Sequence, residues 1–176
     1  MLPPFDFKKW IDENRHLLKP PVGNKQIYMG TEDFIVMVVG GPNSRNDYHY
    51  NESEEFFYQI EGDMVVRIQQ DGKSVDIPIK EGEIFLLPGK VPHSPQRKEN
   101  TVGLVIEKVR QPGMKDGLLW FCPKCNEKLY EEYFFMTDIV TQMQPVFEKF
   151  FGNKEWRTCK NCGEVLPVPE KYKHLE

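Results

Sequence analysis

The sequence predicts an all-β-dominated fold: a small antiparallel barrel or sandwich, with a short helix in front and a helix-containing, metal-stapled extension behind. Three observations carry that expectation. From about residue 26 to 110, short runs rich in Val, Ile, Phe and Tyr are separated by Gly, Pro and Asn, the pattern of many short strands joined by turns. Asp71-Gly72 sits between two of these runs and is a strong short-range hairpin signal. All four cysteines fall in two Cys-x-x-Cys pairs near the C-terminal end, which marks a stapled tail.

The elements follow in order. Asp6 is placed to cap a first helix in which Trp10, Ile11, Leu17 and Leu18 recur at helical spacing until Lys19-Pro20-Pro21 stops it. Strands are expected at Phe34 to Val39, Glu55 to Ile60, Met64 to Gln70, Ser74 to Ile79, Ile84 to Leu87 and Val102 to Val109. After Gln111-Pro112-Gly113 the character shifts. The chain therefore divides into residues 1–112, a barrel with its N-terminal helix, and residues 113–176, an extension packed on it. Within the extension, Asp138 to Phe151 carries apolar residues at Ile139, Val140, Met143, Val146, Phe147, Phe150 and Phe151. Pro145 does not fit inside a regular helix, so the spacing predicts a helix that starts near Pro145 or is kinked there. Neither an internal repeat nor a low-complexity tract is present.

Composition narrows the class. With 176 residues, 39% of them hydrophobic and 28% charged, the chain has material for one ordinary core with a small appendage. No window approaches the roughly 18 to 20 apolar residues of a membrane span, and the first ten residues lack a basic start followed by an apolar stretch. A cytoplasmic chain with no membrane partner is the expectation. Net charge is −4, with Lys and Arg scattered among acids, so no long basic face exists for a nucleic-acid backbone. Four cysteines in two pairs, in such a chain, read as a tetrathiolate metal site rather than a disulfide framework.

The chemistry-bearing residues lie in the strand-rich region. His49 and Glu55 come first, and His93 follows in the loop from Leu87 to His93. Two imidazoles and one carboxylate are the ligand set that holds Fe(II) on one side and leaves other positions open. Alone, the pair His49 and Glu55 reads as an ordinary surface pair. The flanking glycines and prolines change that reading. Six residues separate Glu55 from Gly62, five separate Gly82 from Pro88, and His93 comes five positions after Pro88. These spacings resemble the two motifs of the cupin family, a small jelly-roll barrel with a metal inside. The departures are informative: Asp47 stands where that family's first motif usually begins with His, Lys90 where the second usually has Gly, and Arg97 where it usually has Asn. Without the first His, a three-ligand site remains, with room for a chelating substrate and O2.

Longer strings narrow the resemblance: Gly40 through His49, Glu55 through Gln59, Leu86-Leu87-Pro88, Pro92 through Arg97, Lys19 through Asn24, and Val105-Ile106-Glu107. Over nearly the whole chain these resemble the 3-hydroxyanthranilate 3,4-dioxygenase family, in its short form with a cysteine-bearing tail. The resemblance implies Fe(II)-dependent, extradiol-type opening of an ortho-aminophenol ring. Both atoms of O2 would enter 2-amino-3-carboxymuconate 6-semialdehyde, the precursor of quinolinate on the route from tryptophan to NAD. His49, Glu55 and His93 would hold the iron, Arg97 with Glu107 would position the substrate carboxylate, and Arg45 would lie beside substrate and O2. Asn24, Val39, Phe57 and Pro95 would shape the pocket, and Glu107 is also a candidate proton acceptor. A homodimer is implied as well.

The residues themselves are compatible with these roles. Side chains alternate along a strand, so Arg45 shares a face with His49, and Phe57 with Glu55, wherever the ladder is regular. Pro95 argues against a regular strand near Arg97. The bland readings are an exposed loop for each arginine and plain core for Phe57; His16 and His174 have no partner motif and read as structural or exposed. Cys122, Cys125, Cys159 and Cys162 would hold structural zinc or a rubredoxin-like iron, which spacing does not separate. The 33 residues between Cys125 and Cys159 exceed a zinc ribbon's usual gap of roughly 15 to 20, so the site staples a long excursion. Four thiolates leave no open position, and no catalysis is assigned to it. Two other readings stand beside this one. One is a metal-dependent cupin enzyme acting on a different small aromatic or carboxylate. The other is a non-enzymatic sensor or nucleic-acid module built on the cysteine knuckle, whose basic residues are diluted by Glu127, Glu131, Glu132 and Glu155.

Overall fold

The structure, a computed structural model, describes residues 3–20, 23–137 and 139–175. Pro21, Val22 and Asp138, which enter the sequence reading, lie outside the described residues. Asp6 caps helix α1 (Phe7–Asn14), its Oδ1 accepting from the backbone N–H of Lys9 at 3.0 Å and so satisfying one first-turn donor. Through a short 3-10 turn, Arg15–Leu17, the helix leads to Leu18. Ile11 and Leu18 pack with Trp10 against Val38, Val102 and Leu104.

Two antiparallel sheets form the barrel. The first has the order β1 (Asn24–Gln26), β2 (Phe34–Gly40), β9 (Val102–Lys108), β4 (Glu55–Glu61), β7 (Ile84–Leu87). The second has the order β11 (Lys128–Phe134), β10 (Asp116–Phe121), β3 (Asp47–Tyr50), β8 (His93–Arg97), β5 (Met64–Gln70), β6 (Lys73–Ile79). Among the described residues, six of the eleven strands begin and end within one residue of the limits expected from the sequence. Between β5 and β6, Asp71 and Gly72 take φ of 50° and 73°, the two left-handed residues that a type I′ hairpin needs.

The strands that pattern did not reveal have physical reasons. Strand β1 is a polar edge, and β3 reads Asp-Tyr-His-Tyr because its inward side chains are functional rather than apolar. Pro95 does sit within β8, opposite Val66 of β5. Strand β10 is buried along nearly its whole length and pairs with β3 on one side and β11 on the other, so the segment after Pro112 contributes two strands to the second sheet. Helix α2 (Ile139–Phe151) runs through Pro145 rather than starting at it.

Phe57, Met64, Val66, Ile68, Ile79, Leu87 and Val105 fill the space between the sheets. A second, aromatic cluster forms where α2 packs on the face of β10 that carries Leu118 and Trp120, the face that β10 shares with Asp116 and with His49 across the ladder. Trp120 stacks on Phe150 with centroids 4.1 Å apart, and Phe151 stacks on Tyr172 at 4.8 Å. Among the described residues no helix is long and apolar enough to cross a membrane.

If this aromatic cluster latches the tail to the barrel, Phe150→Ala should cost roughly 3 to 5 kcal/mol, read as a fall in the urea midpoint at unchanged m-value. A loss under about 1 kcal/mol would show that the stack contributes little.

Candidate metal centre and substrate cleft

His49 and His93 are placed opposite each other by the register of β3 and β8, their single paired position. Glu55, the first residue of β4, comes from the facing sheet. The three side chains are buried, and their ligand atoms lie within 4.8 Å of one another. His93 donates Nδ1–H to the Val91 carbonyl at 3.0 Å and turns Nε2 to Glu55 Oε2, also at 3.0 Å. His49 Nε2 lies 2.8 Å from Asp116 Oδ1, and Asn51 Nδ2 donates to Glu55 Oε2 at 3.3 Å.

The electrostatics suit a cation. Burial pushes the His49 pKa down, toward the neutral imidazole that a metal requires. Burial alone would raise Glu55, but His93 and His49 outweigh it and hold Glu55 below its usual value. The same pairing raises His93 against the effect of its burial. Among the described residues no Lys or Arg forms an ion pair with Glu55. A buried carboxylate whose close partners are two imidazoles and the amide of Asn51 fits a divalent ion, and this donor set suits non-haem iron.

Around the triad lie the arginines and Glu107. Arg97 ends β8 on the same strand face as His93 and is 4% exposed. One terminal nitrogen donates to Gln59 Oε1 at 2.9 Å, while its Nε has no hydrogen-bond partner. No carboxylate pairs with it among the described residues, and burial pushes its pKa down to about 10. Gly103 leaves the space it fills, since a Cβ there would come within 2.6 Å of the guanidinium. Arg45 is half-buried and tied to Asp47, Nε donating to Oδ2 at 3.0 Å. Its charge is felt at His93, and Glu55 in turn acts on Arg45.

Glu107 is directly opposite Glu55 in the β4–β9 register. It contacts Arg110 and forms no ion pair with Arg97. Burial, with the Glu55 charge adding to it, pushes Glu107 up to about 7. Phe57 shares the Glu55 face and meets the His93 ring edge-on at 6.5 Å. Asn24, Val39, Arg45 and Asp47 border a cleft of about 970 Å³ whose other wall is tail, including Phe147 and Tyr172; His49, Glu55, His93 and Arg97 do not line it. Pro95 lies between His93 and Arg97 on β8, and His16 and His174 are exposed.

Several residues of this region escaped sequence reasoning. Gln59 holds Arg97, Asn51 touches Glu55, and Asp116 with Arg110 forms a buried pair beside His49. Asp116 and Arg110 fall in no motif, one acid and one cation among many. No local signal distinguishes them.

The four cysteine sulfurs also come within 4.8 Å of one another. Cys122 to Cys162 and Cys125 to Cys159 are 3.5 Å apart, far beyond a disulfide bond of about 2.05 Å and near the edge of a tetrahedron with metal–sulfur bonds of about 2.3 Å. Two matching knuckles build the site. Cys122 and Cys159 each accept at their carbonyl from the amide four residues on, at 2.9 Å, where Asn126 and Gly163 have φ of 61° and 75°. Asn126 and Gln69 exchange amide hydrogen bonds of 2.8 and 3.0 Å, docking the first knuckle on the β5–β6 hairpin.

A family model described as 3-hydroxyanthranilic acid dioxygenase matches residues 1–151. Over 176 residues the chain is 54% identical to a 3-hydroxyanthranilate 3,4-dioxygenase from Xanthomonas oryzae pv. oryzae, covering 100% of this chain and 99% of that protein. It is 52% identical over 167 residues to the protein of that name from Jannaschia sp., covering 94% of this chain and 92% of the other. Among solved structures, a cupin-2 domain containing protein from Shewanella frigidimarina is similar with a TM-score of 0.47 and 19% identity, over 56% of this chain and 92% of that one.

The geometry separates the two clusters. Changing Cys122 and Cys125 to Ser should remove the metal of the cysteine site, lower Tm and leave the histidine site able to bind iron. If the tail-walled cleft is the substrate's way in, KM should rise more than kcat falls. Metal analysis and steady-state kinetics on the same preparation check this; a collapse of kcat per iron bound at the histidines would assign the cysteine site a role in the chemistry.

Proposed function

The chain belongs to the 3-hydroxyanthranilic acid dioxygenase family, and on that premise we propose that His49, Glu55 and His93 hold an Fe(II) at which 3-hydroxyanthranilate is opened. The observation that carries this reading is a buried two-histidine, one-carboxylate set beside a buried arginine that has no acid of its own. Iron there supplies a redox-active centre with open positions for a chelating aminophenol and O2. Every other contribution belongs to the chain. Arg97, held by Gln59 and lacking an anionic partner, takes the substrate carboxylate, which compensates its buried charge. Glu107, facing Glu55 in register, accepts the proton of the substrate hydroxyl. Arg45, at the head of the cleft, stands beside substrate and O2. Asn24, Val39, Phe57 and Pro95 shape the pocket and keep water out. Both oxygen atoms enter 2-amino-3-carboxymuconate 6-semialdehyde, which leads to quinolinate and so to NAD. A second iron or a zinc at the cysteines is structural, and the setting is the cytoplasm, where unbridged cysteines persist.

We also propose a homodimer. Val36, Ile106, Phe56 and Leu86 form one row across the outer face of the first sheet, in register from β2 to β7. Helix α1 covers the Val38 and Leu104 end, but Leu86 and Ile84 remain 53% and 66% exposed. A second copy of this face would cover them.

Two experiments follow. After anaerobic loading with Fe(II), O2 uptake is measured with 3-hydroxyanthranilate and with its decarboxylated analogue, 2-aminophenol. Wild type should strongly prefer the acid, and Arg97→Ala should lose on the order of 1.5 to 3 kcal/mol of that preference. No uptake with the acid would end the dioxygenase reading, and an Arg97→Ala enzyme that keeps the full preference would remove Arg97 from carboxylate binding. In sedimentation at micromolar concentration, wild type should be dimeric and Leu86→Lys shifted to monomer. A monomeric wild type would refute the dimer.

A further inference from the structure

Arg110 lies past the end of β9, outside the ligand and substrate sets, yet its side chain is only 5% exposed. Its guanidinium is divided between two carboxylates. Nε donates to Asp116 Oδ2 at 2.9 Å and one terminal nitrogen to Asp116 Oδ1 at 2.6 Å. The other terminal nitrogen donates to Glu107 and, at 2.9 Å, to the Lys108 carbonyl. Asp116 is fully buried in β10 of the second sheet, and its Oδ1 is the atom 2.8 Å from His49 Nε2. Glu107 belongs to the first sheet, opposite Glu55.

We propose that Arg110 is a positioning residue for the metal centre. Through Asp116 it fixes the ring of His49, and through Glu107 it braces the strand pair that presents Glu55, so one cation ties together ligands from both sheets. The inference rests on the metal-centre reading and deepens it. With a carboxylate accepting from Nε2, the ring of His49 keeps one tautomer and one orientation, and its other nitrogen keeps its lone pair. Arginine suits the task because its planar fork reaches both carboxylates at once, which a lysine ammonium on a single stem does not. Three buried charges in a row, two acids around one cation, also explain why none of them needs solvent.

The test uses full-length protein with Zn(II) at the cysteine site and no substrate. Fe(II) affinity at the histidine site is measured anaerobically against a competing chelator, and Co(II) in the same site reports the ligand field by visible absorption. Arg110→Lys keeps the charge and loses the fork. Its Fe(II) dissociation constant should rise on the order of 10- to 100-fold, with a shifted Co(II) spectrum; a merely structural residue would lower Tm and leave the spectrum of the folded fraction unchanged. Where Arg110→Lys does not fold, Asp116→Asn carries the same two readouts, and Arg67→Lys, in an exposed pair with Asp76, serves as the control that changes neither. Wild-type affinity and spectrum in the folded variant would overturn the proposal alone. Wild-type protein that binds no metal at the histidines would overturn the metal-centre reading and this inference with it.

Discussion

Burial of charge inside an apolar barrel is the constraint from which the rest of this structure follows. Glu55, His49 and His93 are all nearly inaccessible to solvent, and a carboxylate in such a place costs several kcal/mol unless a cation or strong hydrogen bonds compensate it. Imidazoles alone supply part of that compensation. A metal ion held there would supply the remainder, so the barrel interior is at once a folding problem and a candidate binding site. The apolar residues around it, Phe57, Leu87 and Val105 among them, keep the dielectric low and make each of these interactions strong.

Charge balance then organises the neighbours. Asp116 sits below its usual carboxylate pKa because hydrogen bonds from His49 and Arg110 outweigh its burial, and Arg110 in turn is held between Asp116 and Glu107. Arg97 is the contrast: equally buried, yet matched only by the neutral amide of Gln59. One arginine is matched by two acids of the fold, and the other has an Nε without a hydrogen-bond partner. That asymmetry separates the two proposed roles, bracing for Arg110 and anion binding for Arg97.

The tail does more than hang from the barrel. Strand β10 joins the second sheet against β3, and one face of it does two things: Trp120 meets α2, and Asp116, four residues earlier, reaches His49. The cysteine knuckles close the excursion between these pieces, and residues beyond them, Tyr172 included, form the far wall of the cleft. The cysteine cluster thus closes the segment that carries one wall of this cleft.

By itself the sequence determined the architecture class, six strands, the Asp71-Gly72 turn, the Asp6 cap and the residues of both candidate metal clusters, because each of these is written in local period, turn chemistry or fixed spacing. Strands whose inward positions carry polar function, such as Asp47–Tyr50, gave no alternating apolar signal. The tertiary structure alone decided that Glu107 faces Glu55, that Gln59 rather than an acid meets Arg97, and that Arg110 and Asp116 stand behind His49. These are contacts between strands distant in the chain, set by register across two sheets, and no periodicity within a strand encodes which residue of another strand it will oppose.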